Sequence, residues 1–379
     1  MKVAIAIDSF KGSLSSLQAG EAIKKGVNKV FPDAEVSVNP LADGGEGTVE
    51  ALTLGMGGRL IKTTVCGPLG KPVPANYGVV DESGIAIIEM AAAAGITLVS
   101  EKDRNPLYTT TYGVGELIRD AIDKGCRRFI IGIGGSATND GGVGMLQALG
   151  CNFLDESGES IPFGAIGLKD LKTINLTKMM PQLKECTFRV ACDVTNPLCG
   201  ENGCSAIYGP QKGATPDMVK DMDEWLADYA RLSKNVLKDS DVNAPGAGAA
   251  GGLGFAFMAY LGAKLESGIG IVLDETRLED KIKCADLVIT GEGRIDSQTV
   301  MGKAPIGVAH MAKKYGIPVI AMAGCLTEDA YICNEHGIDA IFPILRSVVT
   351  LDEALDSENA QKNLTATAEQ LMRLYKISS

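Results

Sequence analysis

The sequence predicts an α/β protein of two domains, one of them assembled from both ends of the chain. Three observations carry this. The first 60 residues read as strand-helix-strand-helix, and the same alternation returns from about residue 280. Between these ends, residues 59–90 read instead as short strands joined by hairpin-like turns, which argues a mixed, partly antiparallel piece. The length, 379 residues, suits two domains at about 150 residues each. An α/β domain therefore takes residues 1–60 plus 280–379, and a mixed α/β domain is inserted over 61–279.

Each element follows from its local pattern. Lys2–Ile7 is an apolar run of strand length. Ser15 with Gln18 three positions later forms a capping box, and Ala19, Ala22, Ile23, Gly26, Val27 and Val30 follow at helical spacing. Glu35–Leu41 is the second strand, and a helix over about 47–54 ends in the glycines 55, 57 and 58. Strands over 60–66, 75–80 and 85–90 are separated by Gly67-Pro68-Leu69-Gly70 and Asp81-Glu82-Ser83-Gly84. A helix over 115–124 leads to a strand over 128–133. A long helix over 216–237 carries Met218, Val219, Met222, Trp225, Leu226, Tyr229 and Val236 on its apolar face. Strands over 286–290, 317–323 and 340–344, a helix over 305–315 stopped by Gly316, and a terminal helix facing Leu364, Ala368, Leu371 and Leu374 inward complete the chain.

Composition narrows the function. Lys and Arg total 36 against 47 Asp and Glu, a net charge of −11, so nucleic acid is not the expected partner. No apolar run approaches the roughly 18 residues of a membrane span, and the N-terminus lacks a signal-peptide pattern. Ten cysteines without a C-x-x-C pair read as free thiols of a cytoplasmic protein. There are only two histidines, His310 inside a helix and His336 at a helix end, so a general base is expected to be a carboxylate.

Many of the 46 glycines fall in six polar segments, most of these segments just after a strand. Ligands of open α/β sheets bind at that edge. Asp8-Ser9-Phe10-Lys11-Gly12-Ser13 opens a helix with hydroxyls and a lysine, an anion site or an ordinary capped loop. Ala42-Asp43-Gly44-Gly45-Glu46-Gly47-Thr48 sets two carboxylates among glycines. Gly132-Ile133-Gly134-Gly135-Ser136-Ala137-Thr138-Asn139-Asp140-Gly141-Gly142 suits a phosphate cradle. Its first half also approaches the dinucleotide fingerprint, with Asp155 about 20 residues on. Asp193-Val194-Thr195-Asn196-Pro197 reads equally as an Asx turn. Gly246–Gly254 holds a formal G-x-G-x-x-G without the preceding strand, and Gly302-Lys303 lacks the rest of a P-loop. The inventory suits phosphoryl transfer, which needs amides, cations, metal-holding carboxylates and a base, but no histidine.

These six loops, with Gly291-Glu292-Gly293-Arg294-Ile295-Asp296-Ser297-Gln298-Thr299 as the last, stand in the order and near the spacing of the bacterial class I glycerate kinases, which the whole chain resembles. The resemblance implies a Rossmann-like domain beside the inserted one, an active site in the cleft between them, and transfer from ATP, with Mg²⁺, to D-glycerate. It favours 2-phosphoglycerate as product and a setting in glyoxylate metabolism. The residue roles are inferred within that frame. Lys11, Ser9 and Ser13 would contact a phosphate or the glycerate carboxylate, with Asp8 and Asn196 also at the substrate. Gly134, Gly135, Ser136, Thr138, Asn139 and Asp140 would cradle ATP. Asp193, or failing that Asp43, is the candidate base; Arg294 the phosphate clamp; Glu292 and Asp296 the metal holders. A monomer or a homodimer is expected, with no nucleic-acid or membrane partner. An NAD-dependent dehydrogenase and a non-catalytic nucleotide-binding regulator are the alternatives.

Overall fold

The computed structural model describes residues 1–42, 47–237 and 240–378. Asp43, Gly44, Gly45 and Glu46 of the second polar loop lie outside the described residues. Counting described residues, the chain divides into two compact units: residues 1–42, 50–56 and 269–378 in the first, 47–49 and 57–268 in the second. Apart from the short excursion of 47–49 into the second unit, the chain changes unit at 56/57 and 268/269, beside the 60 and 280 expected. The later change is displaced because the helix Gly268–Glu275 sends Ile269 against Gly307 of the first unit.

Among the described residues the first unit holds a five-stranded, wholly parallel sheet. Its order is Ala340–Pro343, Val319–Leu326, Leu287–Ile295, Lys2–Ile7, Glu35–Pro40. Ile5 pairs with Ile289 on one side and Val38 on the other. Five of the six residues of Lys2–Ile7 are buried, as a central parallel strand covered on both faces requires. The Ser15–Gln18 capping box is formed, and Ile23 and Val27 of the helix Ser16–Val30 join Ile5, Ile7, Leu364 and Ala368 in the core. The terminal helix Ser357–Ser378 buries Leu364, Ala368 and Leu371, but Leu374 is 58% exposed. Tyr375, four residues after Leu371, packs against the core in its place, as the 3.6-residue period favours.

The second unit holds a six-stranded mixed sheet in the order Lys264–Glu266, Thr187–Ala191, Arg128–Gly132, Ile85–Glu89, Pro72–Val80, Arg59–Cys66. The first four strands are parallel; the last two are the antiparallel piece. A two-stranded antiparallel sheet, Asn152–Leu154 with Thr173–Asn175, stands apart from it. The helix Pro216–Ser233 is capped by Thr215 and buries Met222, Leu226 and Tyr229, with Trp225 packed against the core. It stops four residues before the expected end, where the Ser233 hydroxyl donates back to the Tyr229 carbonyl at 2.9 Å, and Val236 beyond it is exposed. Gly246–Gly254 is not an open loop. It enters the helix Ala249–Leu261, whose backbone leaves helical values at Ala250, Gly251 and Gly252.

Candidate active site

In the first unit the chain leaves the two central strands in opposite directions. Lys2–Ile7 is followed on one side by Glu35–Pro40, and Leu287–Ile295 is extended on the other by Val319–Leu326. Such a reversal opens a crevice at the carboxyl ends of the strands. Asp8 lies there, its amide donating to the Gly291 carbonyl at 2.9 Å and its buried carboxylate accepting from Ser9 N at 2.6 Å. The next residues form a tight turn in which the amides of Ser13 and Leu14 both donate to the Phe10 carbonyl. Lys11 on that turn is exposed, and the Ser13 hydroxyl is buried without a partner.

The end of Leu287–Ile295 carries a charge cluster. Lys303 Nζ lies 3.6 Å from both Glu292 Oε2 and Asp296 Oδ1, and Arg294 Nε lies 3.3 Å from Asp296 Oδ2. The Thr299 hydroxyl donates to Glu292 Oε1 at 2.7 Å. Burial pushes the Glu292 carboxyl up, while Thr299 and Lys303 oppose the shift. Two neighbouring oxygen donors match the chemistry of a hard divalent cation, which commonly takes one or two carboxylates beside substrate phosphates. Among the described residues no group of three or more candidate metal ligands occurs.

In the second unit the glycine loop leaves the carboxyl end of Arg128–Gly132. Its carbonyls point into the protein: Gly135 O accepts from Ile96 N at 2.8 Å, Ala137 O from Thr109 Oγ1 at 2.9 Å, and Thr138 O from Lys212 Nζ at 2.6 Å. Gly134 and Gly135 are exposed, Ser136 is half-buried, and Gly135 has φ +70°. Among the described residues, no acceptor engages the amides of these three positions. That leaves a short row of unengaged donors on an exposed stretch of loop, which is the chemistry of an anion cradle.

The rest of the loop differs from expectation. The side chains of Thr138, Asn139 and Asp140 are buried and turned inward. Asp140 accepts from the Thr111 amide and hydroxyl, both at 2.8 Å, and from the amides of Gly142 and Gly144. Burial pushes its carboxyl up against those bonds. Asn139 Nδ2 donates to Ser205 Oγ at 2.8 Å. These three side chains build the platform; Gly134–Ser136 form its open part.

Asp193 and Asn196 follow the adjacent parallel strand Thr187–Ala191. Asp193 is exposed, and its Oδ1 accepts from Gly268 N at 3.2 Å. Asn196 is held on both sides, donating to Asn202 O and accepting from Tyr208 Oη at 2.7 Å. Asp155 does not complete a dinucleotide site. Its carboxylate accepts from Ser157 and from Glu159 N within the turn after Asn152–Leu154. It therefore stabilises a hairpin turn, where a ribose-binding carboxylate would follow a second parallel strand. The dehydrogenase reading fails on that geometry.

Two residues went unremarked in the sequence. Glu89 ends Ile85–Glu89, and its Oε1 accepts from Val49 N at 2.9 Å, at the start of the helix Thr48–Gly55. The visible signal was an acid in an apolar run. Lys212 is the other, 1% exposed and the only buried lysine among the described residues. Burial brings its ammonium down from 10.5 to about 8, with Cys204 and Asp140 partly opposing. Between about 8 and 10.5 the unfolded chain holds a proton that the folded chain has released, so this group's contribution to stability rises with pH across that window. Denaturation midpoints at pH 7.5 and 9.5 should therefore show a more positive pH slope for the wild type than for Lys212→Met. Comparing the two proteins removes the contribution of thiols that do not sense Lys212, and Cys204, which loses a neighbouring cation and is pushed further up in Lys212→Met, shifts the difference in the same direction; equal slopes would disprove the shift.

An α/β scaffold with unengaged amides on a glycine loop, and with carboxylates and cations at strand ends, is equipped for phosphoryl transfer. The known proteins agree. The pattern of the glycerate kinase family matches residues 3–376. A glycerate 2-kinase of Escherichia coli (strain K12) is 51% identical over 372 residues, covering 97% of this chain and 98% of that one. A glycerate kinase of Bacillus subtilis (strain 168) is 50% identical over 378 residues, covering 100% and 98%. The crystal structure of a protein assigned as glycerate kinase 2 in Salmonella typhimurium LT2 superposes with a TM-score of 0.92 at 48% identity, covering 100% and 99%. The chain belongs to the glycerate kinase family. It is an enzyme of the kinase class, so the regulator reading gives way as well.

Proposed function

We propose that this chain transfers the γ-phosphoryl group of ATP to D-glycerate, with 2-phosphoglycerate as the product. The observation that carries the substrate is likeness to glycerate kinases along the whole chain, at about half identity. The unengaged amides of Gly134–Ser136 support the nucleotide part, because such N–H donors on a glycine loop bind phosphate oxygens.

The roles divide as follows. The amides of Gly134, Gly135 and Ser136 hold ATP phosphates. Asp193 accepts the proton as the substrate hydroxyl oxygen bonds to the γ-phosphorus and the bond to ADP breaks; Asp43 is the second candidate. Lys11 and Arg294 offset the developing charge, and Asp8, Ser9, Ser13 and Asn196 are available to glycerate. Glu292 and Asp296 would hold Mg²⁺, which when bound neutralises phosphate charge. All ten cysteines are free thiols, which supports a reducing compartment such as the cytoplasm. Among the described residues, no helix is long and apolar enough to cross a membrane.

The test is ADP release with D-glycerate against a panel of other hydroxy acids, followed by phosphorus and proton NMR of the product. D-Glycerate should be the preferred acceptor, with the phosphate on the 2-oxygen. A 3-phosphate would overturn the regiochemistry alone, and preference for another acid would overturn the substrate.

A further inference from the structure

The segment around Lys212 has no part in those roles, yet it buries a charge. Its sequence, Gly-Pro-Gln-Lys-Gly, fixes where the lysine goes. Pro210 begins the single turn Pro210–Lys212, and Gly213, at φ +93°, ends it with its amide on the Pro210 carbonyl. A Cβ on Gly213 would lie 2.3 Å from the Arg104 carbonyl oxygen, so the turn is seated against that backbone. Lysines ordinarily run their stem along the surface and leave the ammonium in water. Here the ammonium is taken inside, which is costly for any ion. Its hydrogen bond at 2.6 Å is to a backbone carbonyl, that of Thr138, two residues from the unengaged amides.

The lysine is not alone behind the loop. Ser205, in the helix Cys204–Tyr208 just upstream, accepts from Asn139 Nδ2 at 2.8 Å. Thr138 and Asn139 are therefore gripped from one neighbouring stretch, Ser205 through Lys212. The peptides between are pinned as well, Ile96 N on the Gly135 carbonyl, Ala137 N on the Ala94 carbonyl and Thr109 Oγ1 on the Ala137 carbonyl, so the held Thr138 peptide anchors the end of a run that reaches Ser136. The ammonium also places positive charge behind a loop that must accept a polyanion. We propose that Lys212 is a positioning residue for the nucleotide: it fixes the Thr138 peptide so that the Gly134–Ser136 amides converge on phosphate. The inference rests on the reading of those amides as the phosphate cradle.

The experiment uses the full chain with Lys212→Gln, Lys212→Met and, as a probe of the cradle itself, Gly135→Asp. Folding is followed by circular dichroism, ATP affinity by calorimetry, and KM for each substrate by ADP release. Lys212→Gln and Lys212→Met should each weaken ATP by about 10- to 100-fold, the span of one lost charge-assisted hydrogen bond, with KM for glycerate little changed. The glutamine amide can still donate, so the loss should be smaller for Gln than for Met. A folded Lys212→Gln and Lys212→Met pair with unaltered ATP affinity would overturn the proposal. So would equal losses in both KM values, or failure of both variants to fold, either of which assigns the lysine to stability alone. Gly135→Asp separates the two readings. If it leaves ATP binding intact, the cradle itself is wrong. If it abolishes binding while the Lys212 variants bind normally, only the lysine's role is wrong.

Discussion

Asp193→Asn is expected to lower kcat by about 10²- to 10⁴-fold, the usual worth of a general base, with the melting temperature and ATP affinity near wild type. The carboxylate stands exposed past the end of Thr187–Ala191, in the loop following the strand next to the one that feeds the glycine loop. An asparagine keeps the oxygen that accepts from Gly268 N, so the local turn survives. What is lost is the capacity to take a proton. The matched experiment is Asp43→Asn, because a carboxylate in either loop could serve. If Asp193→Asn turns over normally and Asp43→Asn does not, the base is Asp43. Normal turnover in both would remove carboxylate general-base catalysis from these two positions. A fall in ATP affinity with Asp193→Asn, at unchanged kcat, would instead make the residue a binding group.

The parallel strands and the capped first helix could be read from sequence because apolar runs and a Ser-x-x-Gln pair report directly on local conformation. The polar loops could be located for a similar reason: glycines beside Asp, Asn, Ser and Thr, just past a strand, have little packing to do. Which way those side chains turn could not be read. Asp140 and Asp193 look alike in sequence, each in a polar loop after a strand, yet one is caged by four hydrogen bonds and the other is exposed. The difference depends on Thr111, nearly thirty positions upstream of Asp140, and no local pattern encodes it. Lys212 is the extreme case, since a lysine between glycines and a proline ordinarily signals a solvated turn. Gly246–Gly254 spells a dinucleotide motif without the strand that should precede it, and its glycines instead let one backbone lie on another.

That backbone contact yields the largest stability effect expected. Gly251 sits at φ +68°, and a Cβ there would lie 2.1 Å from the Thr138 carbonyl oxygen, the atom that also receives Lys212. Its own carbonyl accepts from Gly141 N at 2.9 Å, so it cannot withdraw without breaking that bond. Gly251→Ala carries two costs: about 1–2 kcal/mol for a left-handed alanine, and about 1–3 kcal/mol for forcing atoms into a packed site. The total is a large share of the roughly 5–15 kcal/mol that holds a typical domain folded. A loss of about 2–5 kcal/mol in denaturant unfolding is expected, with weakened ATP binding because the displaced atom belongs to the platform under Gly134–Ser136. The neighbouring position supplies the control. Ala250 already adopts φ +52°, so Ala250→Gly removes a strained conformation and should leave stability within about 1 kcal/mol of wild type, with ATP affinity unchanged. If Gly251→Ala were as benign as Ala250→Gly, the contact between the two loops would be too soft to orient anything. The platform, and with it the positioning of the amides, would then have to be sought elsewhere in the second unit.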